Sequence, residues 1–384
     1  MRYFIVLLGL FLFATNVSGV IIDSIAGIIK DSPDDSAKVK LYLEISEATE
    51  AETPEKAIYY AYEAKSLSTK IHYFEGIGQA YLRMGSIHFH HSNYRQAMDN
   101  YSKAAEILEN DGISVTLGEV FFVTGNLYYL QANYEQALEY FLKSLEIFEK
   151  LGNEGGIART YNSLGIIYYI QNNLQKAVEY NSKSLEINEK IGNQKGIANS
   201  YNNIGEIYQE QKKYDIALNY YLRSCEILEE TENCIPELAS TYSNIGLSYM
   251  YQDKNEKALD FLEKAGKLME NLGDKFGMAR VSNYMGEYYL RAGNDKKAWE
   301  SFSYALLTGS VIRAPQIRKD ALAGLSRLSE LKGDFEKAYR YFLQYNFLND
   351  SILKNESLKK ITQIEMRTEF EKKRKDMEFF QKQK

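Results

Sequence analysis

Small and aromatic residues recur along this chain at intervals of 40 residues, with one interval of 41. A column of glycines lies twelve residues ahead of a column of alanines, and a column of tyrosines, interrupted by His88, falls between them. Small residues at fixed spacing let two helices pack closely, so the pattern predicts one helical hairpin per period. The columns are Gly85, Gly125, Gly165, Gly205, Gly246 and Gly286; Tyr128, Tyr168, Tyr208, Tyr249 and Tyr289; and Ala57, Ala97, Ala137, Ala177, Ala217, Ala258, Ala298 and Ala338.

Turn residues separate the predicted helices. Asn133 and Asn173 stand before a second helix, and Gly152-Asn153 closes one. Glycine or asparagine ends a helix because it tolerates the left-handed conformation. With only four prolines, the chain has little to interrupt its helices. We predict an all-α fold of eight hairpins over residues 37–349, after a linker over residues 20–36, with the tyrosines filling the space beside each close contact.

The repeated motif is similar to a known family. One copy reads Tyr161, Leu164-Gly165, Tyr168, Ala177, Tyr180 and Ser184. This pattern resembles the tetratricopeptide repeat, in the long-period form found in kinesin light chains and bacterial peptide-binding regulators. The resemblance implies a right-handed superhelical solenoid whose concave groove is lined by the first helix of each copy. The end copies have Ile45 and Ser326 in place of glycine, as expected for terminal repeats.

The resemblance also implies which side chains line the groove. Asparagine is frequent among them, and its amide can both donate and accept hydrogen bonds, which suits a peptide backbone. The alternative is that these asparagines are tolerated polar residues on a solvated face and the tyrosines only part of the wall. The groove residues so assigned are Phe122, Asn126, Tyr129, Arg159, Asn162, Tyr169, Asn199, Asn202, Glu206, Gln209, Asn283 and Glu287.

Charge and composition narrow the function classes. The net charge of −6 gives no basic patch of the kind that binds a phosphate backbone, so a nucleic acid partner is not expected. His88, His90 and His91 lie in one predicted helix without an acid or cysteine at ligand spacing, so we predict no metal site. No constellation of nucleophile, base and oxyanion donor is present either. We predict a protein without catalytic activity or cofactor that binds a protein or peptide.

Two cysteines, Cys225 and Cys234, allow two interpretations. In an oxidising compartment a disulfide between them would staple the connection after a second helix. Alternatively, Cys225 is a buried small hydrophobic residue with a free thiol, since the helix must end and turn before the sulfurs could meet.

The amino terminus predicts the compartment. Met1 and Arg2 precede an apolar run from Tyr3 to Ala14, and small residues follow up to Gly19. This layout is typical of a signal peptide over residues 1–19, cleaved after Gly19, which predicts a periplasmic or secreted protein. A retained anchor helix is the alternative. After residue 20 no apolar run is long enough to cross a bilayer, so no membrane span is expected in the mature chain.

The composition of residues 350–384 predicts a charged helix. From Lys354 onward, ten Lys or Arg accompany six Asp or Glu, with a sparse apolar stripe. This suits a coiled coil that would pair two copies into a homodimer, and a solvated tail is the alternative. The stripe comprises Ile361, Ile364, Phe370, Met377 and Phe380.

A second resemblance gives an alternative function. Asn349-Asp350-Ser351, Lys360-Ile361 and the run from Thr368 to Lys373 resemble the segment that follows the repeats in extracytoplasmic sensor modules of bacterial membrane histidine kinases and nucleotide cyclases. The first hypothesis is an extracytoplasmic adaptor that binds a partner in its groove. The alternative is the ligand-sensing module of a truncated signalling receptor of that kind.

Overall fold

The structure, a computed structural model, describes residues 27–29 and 32–350, and the regular structure in these ranges is helical. The predicted all-α class is therefore confirmed. The predictions for the signal peptide and for residues 351–384 lie outside the described residues. The helices are α1 (Ser36–Thr49), α2 (Pro54–Lys70), α3 (Phe74–His90), α4 (Tyr94–Asp111), α5 (Val115–Leu130), α6 (Tyr134–Leu151), α7 (Glu154–Ile170), α8 (Leu174–Ile191), α9 (Gln194–Glu210), α10 (Tyr214–Glu230), α11 (Ile235–Tyr251), α12 (Asn255–Asn271), α13 (Lys275–Arg291), α14 (Asp295–Val311), α15 (Pro315–Leu331) and α16 (335–350).

The helices divide into two compact units. Described residues up to Thr160 belong to the first unit and those from Tyr161 onward to the second, so the boundary falls inside α7. Within each unit, successive helices pack against each other, and so do the first helices of neighbouring copies, such as α3 with α5 and α13 with α15. None of the described helices is long and apolar enough to cross a membrane.

The turns form as their residues predict. The side chain of Asn173 caps α8 by accepting a hydrogen bond from the amide of Lys176 at 3.2 Å, and Asn133 caps α6 in the same way. Gly152 closes α6 and Gly192 closes α8, both in the left-handed region, with φ of 65° and 71°.

A second left-handed position lies between the two helices of a hairpin. Ala132 holds it with φ of 56° and Asn172 with φ of 58°, whereas glycine takes it in the last two copies. The next amide then bonds back to the helix, as Asn133 does to the carbonyl of Tyr128 at 2.9 Å. This bond satisfies an end-of-helix carbonyl and fixes the start of the second helix.

The cores of the inner hairpins are built on the glycine column. A Cβ built on Gly125 would lie 2.7 Å from the ring of Phe141, so the glycine makes room for a side chain sixteen residues later. The tyrosine column lies beside this contact, with Tyr128 stacked on Tyr140 at 5.4 Å between ring centroids. The space against the glycine itself is filled by a side chain that the sequence did not predict. The side chains that fill it are Tyr101, Phe141, Asn181, Tyr221, Leu262 and Phe302.

The first unit has an apolar and aromatic core. Tyr101, Phe121 and Leu108 are buried in one cluster with residues of α5. Burial of such large side chains is the main source of stability for a hairpin array, because each hairpin covers its apolar face only against its neighbours.

Amides replace rings in part of the second unit. Asn181 is 1% exposed, donates to the carbonyl of Ala177 at 2.8 Å and accepts from Asn203 at 3.2 Å. Two helical turns later on α8, Asn188 is also buried, and its side-chain oxygen accepts a hydrogen bond from Asn193 at 2.9 Å. Buried polar groups are stable when they are hydrogen-bonded in this way.

The end copies fasten their hairpins with hydroxyl groups. Ser46 donates to the carbonyl of Ala57 at 2.7 Å, and Ser326 donates to that of Ala338 at 2.9 Å. Ser326 stands where the inner copies have glycine, and its hydroxyl joins the two helices of the last hairpin directly.

Candidate functional site

The first helices of the second unit are joined by polar side chains on a shared face. Asn202 on α9 donates to Glu206 at 3.0 Å, and Asn244 on α11 bonds to both, at 3.2 Å to the Asn202 oxygen and 3.1 Å to Glu206. Thr241 also donates to Asn202 at 3.4 Å. Two of the predicted groove residues, Asn202 and Glu206, therefore lie together and join α9 to α11.

Glu206 is a buried carboxyl group that is hydrogen-bonded to amides rather than to a cation. Burial raises its pKa above the ordinary value of 4.5, and the amides of Asn244 and Asn202 and the charge of Arg280 oppose this only in part. Tyr169 lies close by, and burial together with Glu210 and Glu206 raises its pKa to about 12. The Tyr169 hydroxyl therefore stays protonated at neutral pH.

The same face continues toward the end of the helices. Gln209 on α9 accepts a hydrogen bond from Ser248 on α11 at 3.0 Å, and Gln252 donates to Asp215 at 3.1 Å. Gln209 therefore joins two copies, as Asn202 does.

A cleft of about 640 Å³ opens between α11, α13 and α15. Tyr251, Phe276 and Tyr284 line it, and the side chains of Tyr251 and Phe276 remain 43% and 53% exposed. Tyr251 is held in place by stacking on Tyr214, with 4.7 Å between ring centroids. Concave sites that combine exposed aromatic rings with a few polar groups are typical ligand sites.

Three arginines and two acids line this cleft. Glu287 forms ion pairs with Arg291, at 2.9 Å, and with Arg327. Asp320 accepts a hydrogen bond from Gln316 at 3.0 Å, and burial raises its pKa. The acids of the cleft thus already have partners within it.

Two buried atoms in the cleft have no hydrogen-bond partner among the described residues. One is Nε of Arg280, a donor, and the other is Oδ1 of Asn283, an acceptor. The Asn283 amide nitrogen donates to the carbonyl of Ile317 at 2.9 Å, which orients the side chain. Asn283 is 7% exposed, so it forms the floor of the cleft rather than an open surface.

The first unit contributes a smaller set of predicted residues. Arg159 on α7 pairs with Glu119 on α5 and lies 5.1 Å from the ring centroid of Phe122. Asn126 is half-buried on the same helix as Phe122, and Tyr129 packs near Tyr134, with ring centroids 6.0 Å apart. The structure therefore brings Phe122 and Arg159 together and leaves Asn126 and Tyr129 further along α5.

Two further predicted residues lie in the second unit. Asn162 is half-buried and donates to the core oxygen of Asn181 at 3.5 Å, a long hydrogen bond. Asn199 is half-buried on α9, three residues before Asn202. The predicted groove residues are thus partly exposed and partly engaged in holding adjacent copies together.

The family model of the tetratricopeptide repeat matches residues 124–190, 156–230 and 237–303. Residues 124–230 and 237–303 are therefore built of tetratricopeptide repeats. No match is found among curated protein sequences.

Solved structures share this tetratricopeptide-repeat fold at low sequence identity. Aspartyl phosphate phosphatase F from Bacillus subtilis is 16% identical, with a TM-score of 0.62 over 88% of this chain and 95% of its own. A Rap protein complexed with competence and sporulation factor is 17% identical, with a TM-score of 0.60 over 88% of this chain and 98% of its own. The Rap conjugation gene regulator of plasmid pLS20, in complex with a peptide, is 16% identical, with a TM-score of 0.60 over 88% of this chain and 96% of its own.

Sequence reasoning missed all three arginines of the cleft, Arg280, Arg291 and Arg327. Arg280 stands six residues before Gly286, in the column that also holds Arg159 and Asn199, so extending that column by two more copies would have found it. Arg327 stands in the column of Glu287, but Ser326 replaces the glycine that marks the register there.

The two cysteines carry no disulfide. Cys225 and Cys234 are both buried and free. The sulfur of Cys225 lies 3.3 Å from a carboxylate oxygen of Glu229, and burial together with that contact raises the pKa of the thiol to about 12. The disulfide interpretation is not supported, and Cys225 fits the alternative of a small buried residue.

The histidines of α3 bind different partners. Nδ1 of His90 lies 2.7 Å from Glu50, which also pairs with Arg83 at the same distance, and Nδ1 of His91 lies 2.8 Å from the carbonyl of Ile87. Burial and the neighbouring His91 lower the pKa of His88. Within the described ranges, no group of three or more His, Cys, Asp or Glu residues is placed to hold a metal ion.

Proposed function

We propose that this protein is a non-catalytic scaffold that holds an extended peptide, or an extended segment of a partner protein, on the first-helix face of its second unit. The observation that carries the proposal is the cleft between α11, α13 and α15, where exposed aromatic rings border buried polar atoms without partners. Aromatic area gives affinity and a few fixed polar groups give orientation, which together suit a short stretch of chain.

The solved structures that share this fold support the proposal of peptide binding. Two of the solved structures with this fold are Rap proteins, one bound to competence and sporulation factor and the other to a peptide. Their sequence identities of 17% and 16% establish a shared fold. The mode of binding in this chain is therefore argued from its own cleft.

The compartment and the oligomeric state belong to the proposal as well. We place the mature protein outside the cytoplasm because residues 1–19 have the layout of a signal peptide. We also propose that the charged segment over residues 350–384 pairs two copies. Amino-terminal sequencing of the exported protein tests the first point, with Val20 as the expected first residue, and light scattering of the purified chain tests the second.

Two aromatic residues of equal exposure allow a test of the binding face. Phe276 is 53% exposed at the cleft, and Trp299 is 54% exposed on α14, a second helix that contributes Phe302 but not Trp299 to the cleft. Peptides would be selected from a random phage library on the full chain and their affinities measured by fluorescence anisotropy. We expect Phe276→Ala to weaken the selected peptides about tenfold or more and Trp299→Ala to leave them unchanged.

The two variants also show how the proposal could fail. If Trp299→Ala weakens binding as much as Phe276→Ala, the peptides do not use the cleft. If the random library gives no peptide that binds the chain, the scaffold proposal itself is wrong for short segments.

A further inference from the structure

The last two second helices carry apolar side chains on their outer surface. Leu307 on α14 and Phe347 on α16 are 68% and 80% exposed. Both stand nine residues after the buried alanine of their copy, a position that is exposed in the five copies before them as well. Those five copies hold a charged residue at this position, namely Glu106, Glu146, Glu186, Glu226 and Lys267.

Leu307 and Phe347 belong to a wider surface, which we call the outer patch. Its members on α16 follow each other at intervals of four residues, and those on α14 at intervals of eight and four, so each set shares one side of its helix. Every member is about half exposed or more, and none of them lines the cleft. The outer patch consists of Trp299, Leu307 and Val311 on α14 and of Tyr339, Leu343 and Phe347 on α16.

The two parts of the outer patch lie side by side. Tyr341 of α16 packs against a core cluster to which α14 contributes Ala298 and Phe302, so the two helices share one core. Equivalent positions of neighbouring repeats face the same side of the array. The six side chains therefore form one apolar surface on the second-helix side of the second unit.

The outer patch has the size of an interface. A whole aromatic side chain has about 150–250 Å² of surface, so six large apolar side chains at these exposures present on the order of 600 Å². Monomeric proteins rarely leave more than a few hundred Å² in one patch, and a stable interface buries about 800 Å² on each partner. The outer patch therefore supplies most of one partner's share, and the polar residues around it would supply the rest.

The charges of the two helices indicate which partner fits. Lys296 and Lys297 on α14 are balanced by Asp295 and Glu300, and α16 likewise carries two basic and two acidic residues. An anionic membrane attracts surfaces with an excess of lysine and arginine, and neither helix has such an excess. A surface with both signs in equal number fits a second copy of itself, because its acids can face the bases of that copy.

We propose that the outer patch is a contact between two copies of this chain, related by a two-fold axis, in which α14 and α16 of one copy pack against those of the other. The same patch is then used on both copies, so each of its side chains is buried twice in the pair. This inference goes beyond peptide binding, which uses the first helices. It also does not need residues 350–384, for which pairing was proposed above on composition alone.

The test measures the oligomeric state of the full chain by sedimentation velocity at several concentrations. Leu307→Glu with Phe347→Glu gives both positions a residue that the inner copies hold, so the hairpins should still fold, which circular dichroism checks. We expect the wild-type chain to be a dimer and the double variant to raise its dissociation constant about a hundredfold or more, because each charge enters the contact twice. Leu142→Glu is the matched control, because Leu142 is exposed on α6 outside the outer patch and should leave the dimer intact.

Trp299 reports on the outer patch directly, because it is the only tryptophan in the sequence. About half of its side chain is exposed in one copy, so pairing should bury it and shift its fluorescence emission to shorter wavelength as the concentration rises. Phe347→Glu alone keeps Trp299 and should remove this shift. The single variant also decides the question if the double variant does not fold.

Several results would overturn the inference while leaving peptide binding in the cleft untouched. A monomeric wild-type chain would do so, and short-wavelength emission from that monomer would mean that another segment of the same chain covers the patch. Binding of a monomeric chain to vesicles of phosphatidylcholine and phosphatidylserine, lost in the double variant, would make the patch a membrane contact. A dimer that survives Leu307→Glu with Phe347→Glu also overturns it, and its loss with Ile361→Glu and Ile364→Glu would assign the pairing to residues 350–384.

Discussion

The hairpins of the first unit and helix α8 of the second unit place different chemistry at the same repeat positions. Tyr101 and Phe141 pack against the glycine column in the first unit, and Asn181 takes that position in α8. The next core position changes in the same way, from Leu108 and Phe148 to Asn188. The helical hairpin is retained in both cases, so the fold does not depend on a ring at either position.

The difference shows what the glycine column requires. It requires a side chain that fits the close approach of two helices, and both a buried ring and a hydrogen-bonded amide do so. The ring contributes buried apolar area, whereas the amide contributes little area but constrains direction, because its donor and acceptor must both find partners. We therefore expect the two regions to respond differently to truncation.

The largest effect is expected in the first unit. Phe141→Ala removes a ring that is 1% exposed and leaves a cavity against Gly125. It should cost about 3–5 kcal/mol in the free energy of unfolding, measured by urea denaturation with circular dichroism. A loss below about 1 kcal/mol would mean that the hairpin does not depend on this contact.

A smaller loss is expected for the amide at the equivalent position. Asn181→Ala removes a buried amide that donates to the carbonyl of Ala177 and leaves the half-buried amide of Asn203 without this acceptor, which should cost about 1–3 kcal/mol. Urea denaturation followed by circular dichroism reports on the helices of both units, so it compares variants in either one. Asn100→Ala is the control, because Asn100 makes the same bond to the carbonyl four residues earlier at an exposed site. Equal losses for both variants would contradict a special role for the buried amides.

Glu206 should make the stability of the second unit depend on pH. Its pKa is raised by burial in the folded chain, so the folded chain binds more protons than the unfolded chain just above the ordinary value of 4.5. Stability should therefore fall as the pH rises through this window. Glu206→Gln keeps an acceptor for Asn202 and Asn244 without the charge, so it should flatten this dependence and raise stability near neutral pH. Melting curves from about pH 5 to about pH 8 test this, and an unchanged slope would contradict it.

The smallest effect is expected at matched surface pairs. Lys143 pairs with Glu139 at 2.9 Å in α6, and Lys183 pairs with Glu179 at 2.7 Å at the equivalent position of α8. Exposed pairs of this spacing contribute about 0.3–0.5 kcal/mol, so Lys143→Ala and Lys183→Ala should cause similar small losses. Unequal losses would mean that the two regions differ at their surfaces as well as in their cores.

Much of this fold follows from sequence periodicity. Ala97, Ala137 and Ala177 are fully buried, and Asn133, Asn173 and Gly152 end or begin helices as predicted. The side chain packed against each glycine was not predicted, because its column changes from Phe141 to Asn181 and so loses its apolar signature.

The site was harder to predict than the fold. Groove columns can be read from repeat register, but burial and pairing depend on neighbouring copies. Asn283 was correctly placed in a first helix, yet its amide is directed to the carbonyl of Ile317 on α15, which no pattern within one copy could show. Whether the predicted groove residues bind a ligand stays a prediction.

The left-handed residue between the helices of a hairpin has a consequence for protein engineering. Ala132, Asn172 and Lys212 hold this conformation with φ near 56–58°, whereas Gly293 and Gly333 adopt it in later copies. A residue with a Cβ is strained in this conformation and glycine is not. The later copies therefore indicate which substitution, to glycine, would relieve the strain in the earlier ones. Ala132→Gly and Lys212→Gly are thus starting points for a thermostabilised variant, because they alter neither a hairpin core nor the cleft.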